Sequence, residues 1–429
     1  MYDQRAEAMS LDERTALQDQ RLRDLVQRLL AADGVQAQRL RAAGVADAHD
    51  VSVEGLAALP TTSKQDLWDR YPFGMLAVPR EEVVVVHGSS GTGGRPTLVG
   101  YTRADLDLWA EMVARSLGCA GATAGDVLHN AYGYGLFTGG MGFHLGGIQM
   151  GVTVVPISGG MTQRQLTLIE DLRPQFITCT PSYAVILGET ARQQGRDLSS
   201  IRAGIFGAEP WSEALRKQIE SLLPLRALDV YGLSEVIGPG VATECIEAQN
   251  GLHVNEDHFI VETLDPTTGE VVSAGTPGEL TFTTMTKQAL PLLRYRTGDI
   301  ASLQRGTCVC GRTLVRMSKV LGRRDDMLVI RGVNVYPSEV EAVLLAHGEL
   351  GAHYQLVVDQ RAAVPELIVC CECAAGDGVA ADVGHALHER LGLRAQVHVL
   401  APGSLPRQEV GKAVRVVRWS EGEPPVPGL

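Results

Sequence analysis

The chain has 429 residues, 45% hydrophobic and 21% charged, with a formal net charge of −12. That length exceeds one usual domain and predicts two or three units around a large core. The acidic balance argues against a nucleic-acid partner engaged through a basic face. No apolar run approaches the ~20 residues that cross a bilayer, and MYDQRAEAMSLDERTALQDQRLRDL is charged where a signal peptide has an apolar core. The expectation is a cytoplasmic protein with no membrane partner, its eight cysteines mostly reduced.

Residues 1 to about 75 read as amphipathic helix, for example RLRDLVQRLL, with a turn at LPTTSKQDL where Thr62 or Ser63 can cap a new helix. From Val83 onward β-branched runs alternate with helical segments. VVVVHG precedes RADLDLWAEMVARSLG, GVTVVPISGG precedes TQRQLTLIEDLRP, QFITCTPSY precedes AVILGETARQQG, and IRAGIFGAEP precedes SEALRKQIESLLP. Such alternation predicts parallel sheets covered by helices. From about 240 to 320 the strands HFIVETLDPTTGEVV, GELTFTTM and PLLRYRTGDIASL, broken by turn residues, predict an antiparallel, β-barrel-like subdomain. After GRRDD (322–326), VYPSEVEAVLLAHG and ADVGHALHERLGL read as helices and YQLVVDQ and ELIVCCECA as strands. That is an α/β unit of roughly 100 residues, large enough to fold alone. Lysine is scarce, confined to Lys64, Lys217, Lys287, Lys319 and Lys412, which narrows the search wherever a mechanism needs an amine.

The segment HGSSGTGGRPTLVGYT (87–102) concentrates glycine and hydroxyl residues directly after an apolar run. Glycine lets backbone N–H groups approach a ligand, and Ser89, Ser90 and Thr92 add donors, so the loop reads either as an anion nest or as a flexible hairpin turn. It is not a Walker A motif, because no Gly-Lys-Ser/Thr follows at the required spacing, and no dinucleotide-binding G-x-G-x-x-G opens a helix after a first strand.

SSGTGGRP is followed in order by DVYGLSE (229–235), YRTGD (295–299), GRRDDMLVIRGVNVYPSEVE (322–341) and LPRQEVGKAVRV (405–416). This series resembles the adenylate-forming enzymes. YPFGMLAVP, YGYGLFTGG, TPSYA, EDHF and LPLLRYRTGD look like the phenylacetate–coenzyme A ligase branch, over about residues 55 to 416. Gly93 and Arg95 stand where that family more often has Thr and Lys, and a planar guanidinium is not equivalent to an ammonium.

The resemblance implies a large adenylating domain over 1–322, a hinge at 323–326 and a mobile C-terminal domain over 327–429. It implies ATP, Mg²⁺ and coenzyme A, a small aromatic acid of the benzoate or arylacetate type, and a homodimer. An alternative within the superfamily passes the acyl group to an amine or hydroxyl acceptor. A nucleotide-binding regulator without chemistry predicts lost catalytic residues, yet Lys412, Glu235 and Asp299 are present. By the same resemblance, Ser89, Ser90, Gly91, Thr92, Gly93, Gly94 and Arg95 hold the β- and γ-phosphates and Glu235 binds Mg²⁺. Asp299 accepts the ribose hydroxyls, and Arg323 helps hold the ribose or α-phosphate. Adenine lies between the turn of Gly207, Ala208, Glu209 and Pro210 and the ring of Tyr231, with Asp229 and Gly232 in the same nucleotide motif. Lys412 touches the acyl oxygen and α-phosphate, Asp325 is the hinge, and Gly332 and Val333 approach the thiol tunnel. The acid slot draws on Tyr134, Gly135 and Phe137, with Ala208, Gly232, Ile237 and Pro239 around it.

The cysteines divide into two sets. Cys119, Cys179, Cys370, Cys371 and Cys373 read as buried small hydrophobes. Cys245, His253, Cys308 and Cys310 flank the antiparallel segment, and three sulfurs with one imidazole make a closed tetrahedral set suited to structural zinc. Free thiols at the three cysteines are the other reading.

Overall fold

A computed structural model describes residues 1–89, 96–324, 327–331, 333–361, 365–374, 377–409 and 411–429. Helices α1 (Gln4–Glu7), α2 (Leu11–Ala32), α3 (Val35–Ala42) and α4 (Lys64–Asp69) form the amino-terminal region. Ser10 with Glu13, and Ser63 with Asp66, close capping boxes that start α2 and α4 and satisfy otherwise orphaned N–H groups. Leu22, Leu25, Val26 and Leu29 of α2 pack against Ile260, Met285 and Leu293.

Strands β1 (Val85–Ser89) and β2 (Thr97–Tyr101) pair antiparallel with Val85 opposite Tyr101. The VVVVHG run is therefore one arm of a hairpin and not the first strand of the parallel sheet. The connection from 90 to 96 is too short for a parallel crossover, which needs a dozen or more residues.

The alternation that follows builds the parallel half of a nine-stranded sheet. Its elements are α5 (Arg103–Cys119), β3 (Val127–Asn130), α6 (Thr138–Met150), β4 (Thr153–Val155), α7 (Thr162–Leu172), β5 (Phe176–Cys179), α8 (Pro181–Gln194), β6 (Ala203–Gly207), α9 (Glu213–Leu222) and β7 (Arg226–Leu233). β4, β3, β5, β6 and β7 lie side by side and parallel. β5 and β6 are buried along their whole length, as strands covered on both faces must be. One face carries α5 and α6 with Trp109, Met112 and Phe143; the other carries α7, α8 and α9 with Ile169, Tyr183 and Ile219. α6 comes very close to α5: a Cβ on Gly146 would stand 2.5 Å from Val113 side-chain atoms.

The antiparallel stretch expected from about 240 is divided between two sheets. β8 (Gly238–Glu244), β9 (Leu252–Val254), β13 (Leu303–Gln304) and β14 (Arg316–Met317) extend the large sheet in the order β13-β14-β9-β8-β7. β10 (Phe259–Leu264), β11 (Gly278–Thr284), β12 (Tyr295–Ala301) and β15 (Gly322–Arg323) form a four-stranded antiparallel sheet. A small C-terminal α/β domain follows, with β16 (Leu328–Ile330), β17 (Val333–Val335), α10 (Pro337–Ala346), β18 (Leu350–Asp359), β19 (Glu366–Cys373), α11 (Ala380–Leu391), β20 (Gln396–Leu400) and β21 (Val416–Trp419). Val340, Leu344, Leu356, Val369, Val383 and Leu387 give it a core of its own.

Candidate active site

The carboxyl ends of β5, β6 and β7 lie together, where open α/β sheets receive ligands. β6 ends at Gly207, and Ala208 takes a left-handed φ of 70°. Beyond that turn Glu209 spans a gap. Its Oε1 accepts from the Ser182 backbone N–H at 2.8 Å, and its Oε2 accepts from the Ala413 N–H at 2.9 Å, beside Lys412.

β7 runs through Asp229 and Tyr231 and shifts register against β8 at Gly232. A Cβ on Gly232 would lie 1.9 Å from the Gly238 carbonyl, so the crossing requires glycine. The Tyr231 hydroxyl donates to Asp299 Oδ2 at 2.6 Å, and its ring stacks on Phe282 with centroids 5.9 Å apart. Burial, reinforced by Asp299, holds that phenol far above its usual range, so it stays a donor. Asp299 Oδ1 accepts from Arg323 Nη1 at 2.9 Å, because β12 and β15 pair these two residues directly. Asp229 lies deeper, where burial pushes its carboxyl up to about 7 against the pull of Lys319 and Arg216.

Glu235 occupies the turn after β7 and is 3% exposed. Ser89 Oγ donates to its Oε1 at 3.1 Å, and Lys64 Nζ lies 3.7 Å from the same oxygen. The turn is clasped from behind. The Tyr101 hydroxyl shares its proton between the Ser234 and Ile237 carbonyls at 3.1 and 3.2 Å, and Lys287 Nζ donates to the Glu235 carbonyl at 2.9 Å. Lys287 is fully buried with its ammonium 4.8 Å above the Tyr101 ring centroid. Burial lowers it to about 8, with Asp105 and Glu235 resisting.

Lys412 enters from the small domain. Burial of its charge lowers its pKa, Arg323 acts in the same sense, and Asp299, Glu209 and Glu235 oppose. The Lys412 side chain is exposed, and the Ala413 bond to Glu209 sets its loop against the turn that follows β6.

Tyr134 is brought near the end of β3. Asn130 Nδ2 donates to its hydroxyl at 2.8 Å, His144 Nδ1 lies 3.2 Å from it, and burial pushes the phenol up to about 12. Gly135 follows with φ of 129°. Phe137 is the N-cap residue of α6 and stands 55% exposed, while Ile237 is fully buried. The Pro239 carbonyl accepts from Trp109 Nε1 at 3.0 Å. Ser90, Gly91, Thr92, Gly93, Gly94, Arg95, Asp325 and Gly332 lie outside the described residues. Val333 begins β17 and packs against the small domain's own core. Lys64, Lys287 and Tyr101 are the site residues that motif reading passes over; the scarcity of lysine is the signal that points to the first two.

Cys245, His253, Cys308 and Cys310 converge, with one ligand atom from each lying within 4.8 Å of all the others. Cys245 follows β8, His253 is on β9, and the two remaining cysteines lie in the β13–β14 connection. Cys245 Sγ and Cys308 Sγ are 3.7 Å apart, and Cys310 Sγ is 3.6 Å from His253 Nε2. Burial works to raise the Cys310 thiol, but His253 and Arg312 outweigh it and bring it down to about 5. Burial, with the neighbouring thiols, pushes Cys245 of the same cluster the other way, well above its ordinary value.

A family model described as AMP-binding enzyme matches residues 15–286, and one described as AMP-binding enzyme C-terminal domain matches 332–418. The phenylacetate-coenzyme A ligase of Thermus thermophilus is 49% identical over 440 residues, with 97% of this chain and 99% of the relative covered. A crystal structure of 2-hydroxyisobutyryl-CoA ligase in the postadenylation state with 2-HIB-AMP is similar at a TM-score of 0.90 and 28% identity, covering 96% of this chain and 91% of that one. The same ligase with 2-HIB-AMP and CoA in the thioesterification state gives 0.73 at 29% identity, covering 97% and 92%. With one family model spanning more than half of its residues and a nearly full-length relative at 49% identity, the chain belongs to the AMP-binding enzyme family.

Proposed function

We propose that the protein activates an aromatic carboxylic acid of the arylacetate or benzoate type with ATP, releases pyrophosphate and passes the acyl group to coenzyme A. The observation that carries this is the hydrogen-bonded series Tyr231–Asp299–Arg323, with Glu209 bonded to the loop of Lys412, in a chain that matches a phenylacetate-coenzyme A ligase over almost its whole length. In the first step a carboxylate oxygen attacks the α-phosphorus and the bond to the bridging oxygen breaks as pyrophosphate departs. Lys412 and Arg323 present positive charge there before reaction begins, which is where fixed charges lower a barrier most. A two-oxygen carboxylate suits both ribose hydroxyls, the role of Asp299. The Gly207–Pro210 turn and Tyr231 flank adenine, with Asp229 and Gly232 beneath. Ser89 and the donors of residues 90–95 cradle the outer phosphates. Glu235 is the carboxylate for Mg²⁺, which when bound takes up phosphate charge. Tyr134 forms one wall of the slot for the aromatic ring.

In the second step the coenzyme A sulfur attacks the acyl carbon and AMP leaves. The small domain turns about residues 323–326, with Asp325 as the hinge, and brings Gly332 and Val333 toward the thiol. The two states of 2-hydroxyisobutyryl-CoA ligase support this division of labour.

The reading includes a structural zinc ion on Cys245, His253, Cys308 and Cys310. Ligands at usual zinc distances on a tetrahedron place two sulfurs about 3.8 Å apart and a sulfur and a nitrogen about 3.6 Å apart. The observed 3.7 and 3.6 Å agree with both. A homodimer and a cytoplasmic setting complete the reading by resemblance; among the described residues no helix is long and apolar enough to cross a membrane.

Pyrophosphate release is measured over a panel of benzoates, hydroxybenzoates, aminobenzoates and arylacetates, with and without coenzyme A. The expected result is release with an aryl acid and a coenzyme A thioester as product. Release with none of these acids, or transfer only to an amine, overturns the proposal.

A further inference from the structure

The matches to two states of one ligase differ, 0.90 against 0.73, at nearly equal coverage. The small domain therefore stands here as it does in the postadenylation form. Several polar ties cross from it to the large domain. Glu341 of α10 is 3% exposed, and its Oε1 accepts from the Ser212 backbone N–H at 2.9 Å. Ser212 is the N-cap of α9, and its own hydroxyl accepts from the Leu215 N–H. The Ser212 N–H thus takes its acceptor from the other domain, at a helix end whose dipole favours a carboxylate. Glu341 Oε2 accepts from the Tyr354 hydroxyl at 3.1 Å, and the Arg415 guanidinium lies 4.3 Å from the Tyr354 ring centroid. Arg415 is three residues beyond Lys412, and its carbonyl accepts from the Leu356 N–H at 2.7 Å. An unbroken line of contacts thus joins α9 to the segment that carries Lys412. Beside it His353 Nε2 faces Glu189 Oε2 at 3.1 Å, and Ala352 is buried in the apolar cluster of α8 and α9.

We infer that Glu341 is a positioning residue for the adenylate-forming half-reaction: it fastens the small domain to the N-terminus of α9 and so holds Lys412 in the cleft. Glu189 and Glu209 are lesser ties of the same kind. A rotation of the small domain parts Glu341 from Ser212, so this bond favours one orientation over the other, as a contact must if it is to set a conformational balance. The inference rests on the roles proposed above for Lys412 and for domain rotation.

The test separates the two half-reactions in the full chain. ATP–pyrophosphate exchange with an aryl acid reports adenylation; a synthetic aryl-adenylate with coenzyme A reports thioester formation. Glu341→Ala leaves the Ser212 N–H and the Tyr354 hydroxyl without their buried acceptor. Exchange is expected to fall about tenfold while thioester formation stays within about twofold. Glu341→Gln can still accept from Ser212 and can donate to Tyr354, and it restores exchange. Glu189→Ala, at a partly exposed contact where folding is not at risk, lowers exchange by about threefold, also selectively. Equal losses in both half-reactions, or an unchanged ratio in both alanine variants, overturn the inference and leave the functional reading intact. An unaltered chain with no exchange for any aryl acid overturns that reading and this inference together.

Discussion

The two halves of the cleft are built in opposite ways. On the large domain Glu235 lies in a turn gripped by Tyr101 and Lys287, and Asp299 is set between Tyr231 and Arg323, through hydrogen bonds that are buried except the half-buried one from Arg323. On the small domain Lys412 lies on a loop tied to the large domain by the Ala413 N–H bond to Glu209. Groups that serve bound nucleotide throughout can be fixed in advance, which is where electrostatic stabilisation is most effective. A group required in one step only must also leave, so its anchorage is limited to contacts that water can replace at modest cost.

The largest expected effect breaks the cleft at its moving half. Lys412→Ala should lower ATP–pyrophosphate exchange by about 10²- to 10³-fold, the cost of losing one well-placed charge at a developing centre. Thioester formation from supplied aryl-adenylate should change little. Comparable loss in both half-reactions would mean that Lys412 does not divide them, and the contrast between the halves would fail.

A smaller effect probes the fixed half. Lys287→Met keeps the bulk of the side chain and removes the donor to the Glu235 carbonyl, so exchange should fall about tenfold, with a raised Mg²⁺ requirement. The same variant has a pH signature. Burial holds the Lys287 pKa near 8 in the folded chain, below its ordinary 10.5. A depressed folded pKa contributes stability that is fully present above 10.5 and is lost as pH falls through 8. The unaltered protein should therefore gain stability on Lys287→Met as pH rises from 8 to 10.5, by up to about 3 kcal/mol. Urea midpoints of both proteins at pH 7.5 and pH 10 measure this, and a pH-independent difference would contradict it.

What could be read from the sequence follows the same division. Glu235, Asp299, Arg323 and Lys412 stand in contiguous motifs, and the pairs β4–α7, β5–α8 and β6–α9 are legible from apolar runs followed by helical periods, whereas β3, α6 and β7 are not, α6 being glycine-rich and without a side-chain cap. Tyr101, Lys64 and Lys287 come from three separate segments that meet only at the turn around Glu235, so no local pattern carries them. The trace of the two lysines is compositional: of the five in the chain, both of them contact Glu235. The VVVVHG run of β1 reads as a parallel strand although it is one arm of a hairpin, because an apolar β-branched run looks the same in either setting. Nor can the sequence show which carboxylate faces which N–H across the domain boundary, since Glu341 and Ser212 are 129 residues apart.

The cysteine and histidine cluster sharpens the contrast through a region that should affect neither half-reaction. It fastens β8, β9 and the β13–β14 connection, all within the fixed half, and the neighbouring Arg312 pairs with Glu7 to bind the amino-terminal helix to the same corner. Cys308→Ser removes one thiolate of a closed set, so bound zinc should fall from one per chain to near none. A metal present at about a thousand times its Kd stabilises the folded state by about 4 kcal/mol, which for a domain of this size corresponds to a Tm loss of roughly 6 °C. The ratio of exchange to thioester formation should stay as it is, because the orientation of the small domain does not depend on this corner. Unchanged metal content would leave the three cysteines as free thiols. A changed ratio would show that the fixed half is not independent of the domain that docks on it.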